Sequence, residues 1–231
     1  RRVQSGLYRV TYTGKESTKP VKHSPETNDL ARLRHKLEGF HHGADKDAIK
    51  TAWPHLNHPD RFIRWAALTA VQHQPLQQWK DQALNEKDSG KRVALLLGLC
   101  KVAASDPVNK GSHGSANTDK SLVNAVYKSL THVKWGKLNH AQQLTLVRAY
   151  QIALVRLGKP GPSLMEKIIS QLDPQFPTAS FEQNWLICET LAYLQAPSVA
   201  AKGIKLLQTA ATQEEQIEYA RSLRFLKAGW N

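Results

Sequence analysis

The sequence predicts an all-α chain whose helices come in consecutive pairs, and three observations carry that expectation. Apolar residues recur at helical spacing over most of the chain instead of alternating. The helical runs are separated by polar turns of a few residues, so that successive helices must lie antiparallel. Helix-start spacings, a hydroxyl followed three residues on by an acid or amide, precede apolar runs at Ser163 and Glu166, Ser180 and Gln183, and Thr212 and Glu215. The result is about ten helices in roughly five pairs, with a unit of about 30 to 37 residues, the period of a solenoid in which each pair buries its face against its neighbours.

Taken in order, residues 6–14 (GLYRVTYTG) are rich in β-branched and aromatic side chains and bounded by glycine, which reads as a short strand. No second strand-like run exists to pair with it, so residues 1–14 are expected to close a preceding domain that lies outside this chain. Residues 15–28 are polar, hold two prolines and read as a linker. Helical periodicity begins near Asp29, with Leu30, Leu33, Leu37 and Phe40 on one side and Gly43 as the stop. Ala48, Ile49, Ala52, Trp53 and Leu56 form the next apolar stripe, and residues 57–60 leave room only for a turn. In residues 58–71 (HPDRFIRWAALTAV), Ile63, Ala66, Ala67, Ala70 and Val71 fall at i, i+3, i+4, i+7 and i+8, a narrow face of small residues that lets two helices approach closely.

The pattern of short helix, polar turn and longer helix repeats over residues 76–84 and 91–104, where Val93, Leu96, Leu97, Cys100 and Ala104 make the inward stripe. Residues 105–120 are almost devoid of large apolar side chains and read as a flexible surface insertion. Helical patterning resumes at Leu122, Val123, Val126, Tyr127 and Leu130 and continues through Leu146, Ala149, Tyr150, Ala153 and Leu157. In the last third, Pro174, Pro177 and Pro197 fall between the helical runs, where a helix has to stop.

With 231 residues, 41% of them hydrophobic, the chain can bury a core, and a disordered reading is set aside. The formal charge of +13 invites nucleic acid or an acidic partner. It is regional: residues 1–40 carry nine Lys/Arg against four acids, 121–160 carry six against none, and 161–200 carry one against four. No basic run reaches five residues, which favours a basic surface on particular elements over a polybasic arm. Cys100 and Cys188 each sit inside an apolar helical pattern and read as core thiols, with a disulfide between them left open. No apolar run approaches the roughly 18 residues that span a bilayer.

Chemistry-bearing patterns are sparse. The densest histidine group, His41, His42, His55 and His58, has no cysteine or carboxylate cluster to complete a tetrahedral set, so no metal site is assigned. The sequence has no G-x-S-x-G elbow, Walker loop or dinucleotide glycine motif, and GSHGS at 111–115 falls in the insertion. No catalytic residue is assigned.

The turn and helix HPDRFIRWAALTAV resemble a HEAT repeat, whose pattern places an Asp in the turn and a Val/Ile-Arg pair at the start of the second helix, met here by Asp60, Ile63 and Arg64. More broadly, GLYRVTYTGKES, LRHKLEGFH, HPDRFIRWAA, HQPLQQW, RLGKP, APSVAAK and TQEEQIEYARSLRFLKAGW resemble the helical middle region of large exported proteins from planctomycete-type bacteria, over nearly the whole chain. Those proteins join a β-propeller similar to soluble sugar dehydrogenases, a HEAT-like region and a c-type cytochrome domain. The resemblance implies a HEAT-like α-α superhelix over residues 29–231, a periplasmic or exported setting, and a non-catalytic scaffold whose partners are neighbouring domains of the same polypeptide. It also implies that haem c lies elsewhere in the parent, since Cys100 and Cys188 cannot supply the Cys-x-x-Cys-His attachment site.

On a solenoid the second helix of each pair lines the usable groove. Its polar residues are the binding candidates: Arg61 and Arg64 in the first clear repeat, Asn184 and Glu189 in the fourth pair, and Gln216, Tyr219 and Arg224 in the last. The repeat resemblance implies a structural role for Arg64, bridging to the turn Asp of a neighbouring unit. Asn184 and Glu189 read equally as groove contacts or as intramolecular hydrogen-bond partners. A protein or a saccharide is the expected groove ligand. The rival reading comes from alkylpurine DNA glycosylases, also built from HEAT-like repeats, which hold DNA on a basic face. Against it, Trp53, Trp65, Trp79 and Trp185 lie beside the apolar stripes and are expected to pack between helices.

Overall fold

Where the sequence sets an acid, amide or hydroxyl ahead of an apolar run, the backbone starts a helix. The computed structural model of the chain describes residues 6–20, 28–104 and 119–230. These contain the α-helices α1 (Asp29–Glu38), α2 (Ala48–Ala52), α3 (Arg61–Gln72), α4 (Lys80–Leu84), α5 (Ser89–Ala103), α6 (Lys120–Thr131), α7 (His140–Arg156), α8 (Pro162–Leu172), α9 (Phe181–Tyr193), α10 (Ser198–Thr209) and α11 (Gln213–Leu223), several of them joined by single 3-10 turns. Side chains of Asn28, Asp60, Asp88, Asp119, Asn139, Ser180 and Thr212 each accept a first-turn amide of the helix that follows. Among the described residues, no helix is long and apolar enough to cross a membrane.

The helices pack in two layers. In one, α1 lies on α3, α3 on α5, α5 on α7, α7 on α9 and α9 on α11; in the other, α4 lies on α6 and α6 on α8. Within the pairs, α2 packs on α3, α4 on α5, α6 on α7, α8 on α9 and α10 on α11. Small residues set the spacing. Ala66, Ala67 and Ala70 of α3 are buried, and at Gly98 of α5 a Cβ would lie 2.9 Å from Gln72 Nε2 and 3.1 Å from Leu68 Cδ1. One continuous core runs from Leu37 to Leu226, with Trp79, Tyr127 and Tyr150 among its largest buried side chains. Each fully buried Leu or Ile in it contributes about 1.5–3 kcal/mol of transfer free energy.

Between pairs, one buried glutamine, Gln74, and two half-buried ones, Gln171 and Gln195, satisfy backbone that helix ends leave open. Gln74 donates to Ala70 O at 3.0 Å and Gly43 O at 3.2 Å, and accepts from the Asp45 amide at 2.8 Å. Gln171 donates to Val133 O at 2.6 Å and accepts from the Tyr150 hydroxyl. Gln195 donates to Phe225 O at 2.9 Å and accepts from the Lys227 amide at 2.8 Å. A primary amide fits this role because it carries donor and acceptor on one planar group.

Several expectations change. Residues 6–14 form no strand, and no strand occurs among the described residues; Leu7, Tyr8 and Val10 are almost wholly exposed. A ladder needs a second edge, and these residues find none. Ser163 caps nothing, because α8 begins one residue earlier, with Gly161 as cap and Pro162 in the first position, where a missing N–H costs no bond. The expected box at Ser180 is half made: Ser180 accepts from the Gln183 amide, but the Gln183 side chain reaches Gln143 instead. The expected flexible insertion and GSHGS fall, but for the last two residues of 105–120, outside the described residues, as do residues 21–27 of the expected linker.

Candidate functional site

A groove opens on the face of the α5–α7–α9–α11 layer turned away from the other helices. Its centre, about 230 Å³, is lined by Arg148, Gln151, Leu154 and Val155 of α7 and Glu189, Thr190 and Tyr193 of α9. Past Glu189 and Tyr193 it continues to Arg221, Ser222, Arg224 and Phe225. In the other direction it runs from Arg148 over Leu144, Thr145, Trp185 and Leu186 to Leu97 of α5. The helices supply these residues at their open-face positions: Val155 next to buried Leu154, Tyr193 next to buried Ala192.

A polar chain crosses three helices at the centre. Arg148 donates to Gln151 Oε1 at 2.9 Å, and Gln151 Nε2 donates to Glu189 Oε2 at 2.9 Å. Arg221 stands 3.7 Å from Glu189 Oε1 and pairs with Glu218 at 2.7 Å. Around it, cations lie on aromatic faces: Lys159 at 4.4 Å from the Tyr193 ring centre, Arg224 at 4.5 Å from Phe225 and Arg221 at 5.8 Å from Trp185. At exposed positions such contacts contribute about 0.5–1 kcal/mol each. Among the described residues, Arg148, Lys159 and Arg224 have no carboxylate within ion-pair distance. The groove is therefore apolar on its floor and cationic on its rim, with one carboxylate, Glu189, in the middle. The covered indole N–H of Trp185 meets no acceptor among the described residues.

Of the residues singled out from the sequence, Glu189 and Arg224 line the groove. The others do not, each for a local reason. Asn184 is buried and closes on the turn before its own helix, accepting from the Thr178 amide at 2.6 Å and donating to Thr178 O at 2.9 Å. Tyr219 is buried edge-on against Phe181, and burial, with Glu215 beside it, raises its hydroxyl pKa. Gln216 is exposed and reaches back to Leu207 O. Arg64 is structural, but it donates to the carbonyls of its own turn, His58 at 2.6 Å and Pro59 at 2.7 Å, and not to a neighbouring unit's Asp. Arg61 lies over Phe62 at 4.6 Å, at the other end of the stack. Trp65, expected between helices, is exposed because it falls off the Ile63–Ala66–Ala70 stripe.

Sequence reasoning missed Arg148, Gln151, Val155 and Tyr193. For Val155 and Tyr193 the signal was the last turns of α7 and α9, where apolar residues outnumber what one buried stripe can use; Arg148 and Gln151, mid-helix and polar, gave none. A second cavity, about 360 Å³, lies where Asn57, His58 and Arg64 face Gly90, Asn139 and Gln142 at the starts of α5 and α7; there Gln142 donates to Asn57 at 2.8 Å. His41 stacks on His73 and bonds Ala66 O at 2.8 Å, so it is engaged in packing. No three His, Cys, Asp or Glu among the described residues converge as a metal would need. Cys100 and Cys188 are buried free thiols, each pushed up to about 12 by burial. Compared with protein-family models, with curated proteins and with solved structures, the chain has no match.

Proposed function

We propose that the chain is a HEAT-like helical spacer and interaction module without catalysis of its own, set in a larger exported protein between a dehydrogenase-like propeller and a c-type cytochrome. The observation that carries the spacer part is the order of packing, α3 on α5, α5 on α7, α7 on α9 and α9 on α11, over one continuous core. A stack in which every pair grips the next transmits position along its length. The setting rests on the resemblance alone, carried by GLYRVTYTGKES, LRHKLEGFH, HPDRFIRWAA, HQPLQQW, RLGKP, APSVAAK and TQEEQIEYARSLRFLKAGW.

Spin labels on Lys50 of α2 and Lys205 of α10, both on helices at opposite ends of the stack, test the spacer reading. A single narrow distance distribution is expected, and a broad or bimodal one overturns it. Haem absorbance, bound metal or sugar oxidation by the isolated chain overturns the non-catalytic part. The rival, nucleic-acid binding on a HEAT-like surface, is favoured by the groove cations Arg148 and Arg224, which have no carboxylate partner among the described residues. Retention on heparin or on a duplex at near-physiological salt is its signature, since phosphate contacts dominate that affinity.

A further inference from the structure

We propose that the α7–α9–α11 groove receives an acidic segment of another protein, with two or more apolar anchors flanked by carboxylates. This rests on the interaction-module reading above. The floor asks for apolar groups: Val155, Tyr193 and Phe225 are exposed there beside buried Leu154. The rim asks for anions: Arg148, Lys159 and Arg224 surround that floor with no carboxylate partner among the described residues. An amphipathic segment laid along such a groove buries its anchors and pairs its acids, which is the helix-in-groove mode of recognition. Charge complementarity of this kind governs partner choice and encounter rate.

Two features favour a peptide over a polyphosphate. Glu189 stands at the centre of the groove, on Gln151 and near Arg221, where it repels phosphate yet can accept an N–H or hydroxyl from a peptide. One face each of Tyr193 and Phe225 is already covered by Lys159 and Arg224, so the rings offer bases less stacking surface.

The test is a selection from a displayed library of random peptides of about twelve residues, enough for three helical turns, on the intact chain. Enriched peptides are expected to carry Asp or Glu on either side of two apolar residues. Their affinity is expected to fall more than about tenfold when Arg148→Glu and Arg224→Glu are combined, and again in the separate variant Val155→Asp. All three residues are exposed, and unchanged circular dichroism verifies that the variants fold. Enrichment without acidic bias, equal binding by the charge-reversed chain, absence of groove-binding peptides, or a single-stranded oligonucleotide that displaces the peptides from the groove overturns the inference. The spin-label distances judge the spacer reading separately, so the two can fail independently.

Discussion

At the scale of single residues, side chains that close backbone groups outweigh those that look outward. Gln195 is the clearest case: a non-glycine residue at φ 61°, it holds the left-handed conformation after α9 and clasps both Phe225 O and the Lys227 amide. Gln195→Ala keeps the strained backbone and loses the clasp, and is expected to destabilise by about 1–2 kcal/mol. Gln195→Gly loses the same bonds but relieves about 1 kcal/mol of left-handed strain, so it is expected to lie nearer wild type. Hydrogen exchange at Lys227 should accelerate in both, and equal stability of the two variants in urea would contradict the role given to the backbone. Glu86 works similarly. Burial opposes its ionisation, but the Asp88 amide, the Trp53 indole N–H at 2.7 Å and the Lys87 amide outweigh it and hold its pKa below the usual carboxylate value. Because the folded pKa is the lower one, the stabilisation is present above the unfolded value of about 4.3 and lost as pH falls through the folded one. In Glu86→Gln that acid-sensitive part should vanish; an acid limb of the denaturation curve identical to wild type would refute it.

At the scale of elements, caps and clamps decide where each helix sits. Asp60 accepts from the Phe62 and Ile63 amides while Arg64 holds the carbonyls of the same turn, so the α2–α3 connection is tied from both ends. Gln74 ties the end of α3 to the loop between α1 and α2, and it is 2% exposed. Gln74→Leu strands the Asp45 amide and two carbonyls, at an expected cost of about 2–3 kcal/mol, measurable as a lower urea midpoint at unchanged slope. A cost below the error of that measurement would remove the clamp from the account. The apolar stripes of α3, α5 and α7 were legible in the sequence because a period of 3.6 needs only neighbours along the chain. The glutamine clamps were not, since Gln74, Gln171 and Gln195 meet partners some 30 or more residues away, as Gln195 does with Phe225. The groove was half legible for the same reason. Glu189 and Arg224 could be read from their place on second helices, whereas Asn184 and Tyr219 follow the same spacing but are drawn inward by Thr178 and Phe181. The N-terminal stretch had strand-forming residues, but a strand exists only with an edge to pair with.

At the scale of the whole molecule, the consequence of layered packing is that stability need not be uniform. Each helix pair leans on its neighbours, so pairs in the middle are supported from two sides and those at the ends from one. The two cysteines report on this directly. Cys100 lies in α5, gripped by α3, α4 and α7, whereas Cys188 lies in α9, whose outer support is α11 and α10. Both thiols are buried and pushed up to about 12, so neither reacts at neutral pH until its helix opens. α11 has few apolar residues to hold it, chiefly Tyr219 and Leu223, and its N-terminal half is exposed. Opening of α10–α11 removes one whole side from Cys188 and none from Cys100. Thiol labelling under native conditions is therefore expected to modify Cys188 through a sub-global opening of lower free energy and smaller urea dependence than the opening that exposes Cys100. The single variants Cys100→Ala and Cys188→Ala assign the two rates. If both thiols label with one rate and one urea dependence, equal to those of global unfolding, the stack behaves as a single cooperative unit and the nearest-neighbour description of its stability is wrong.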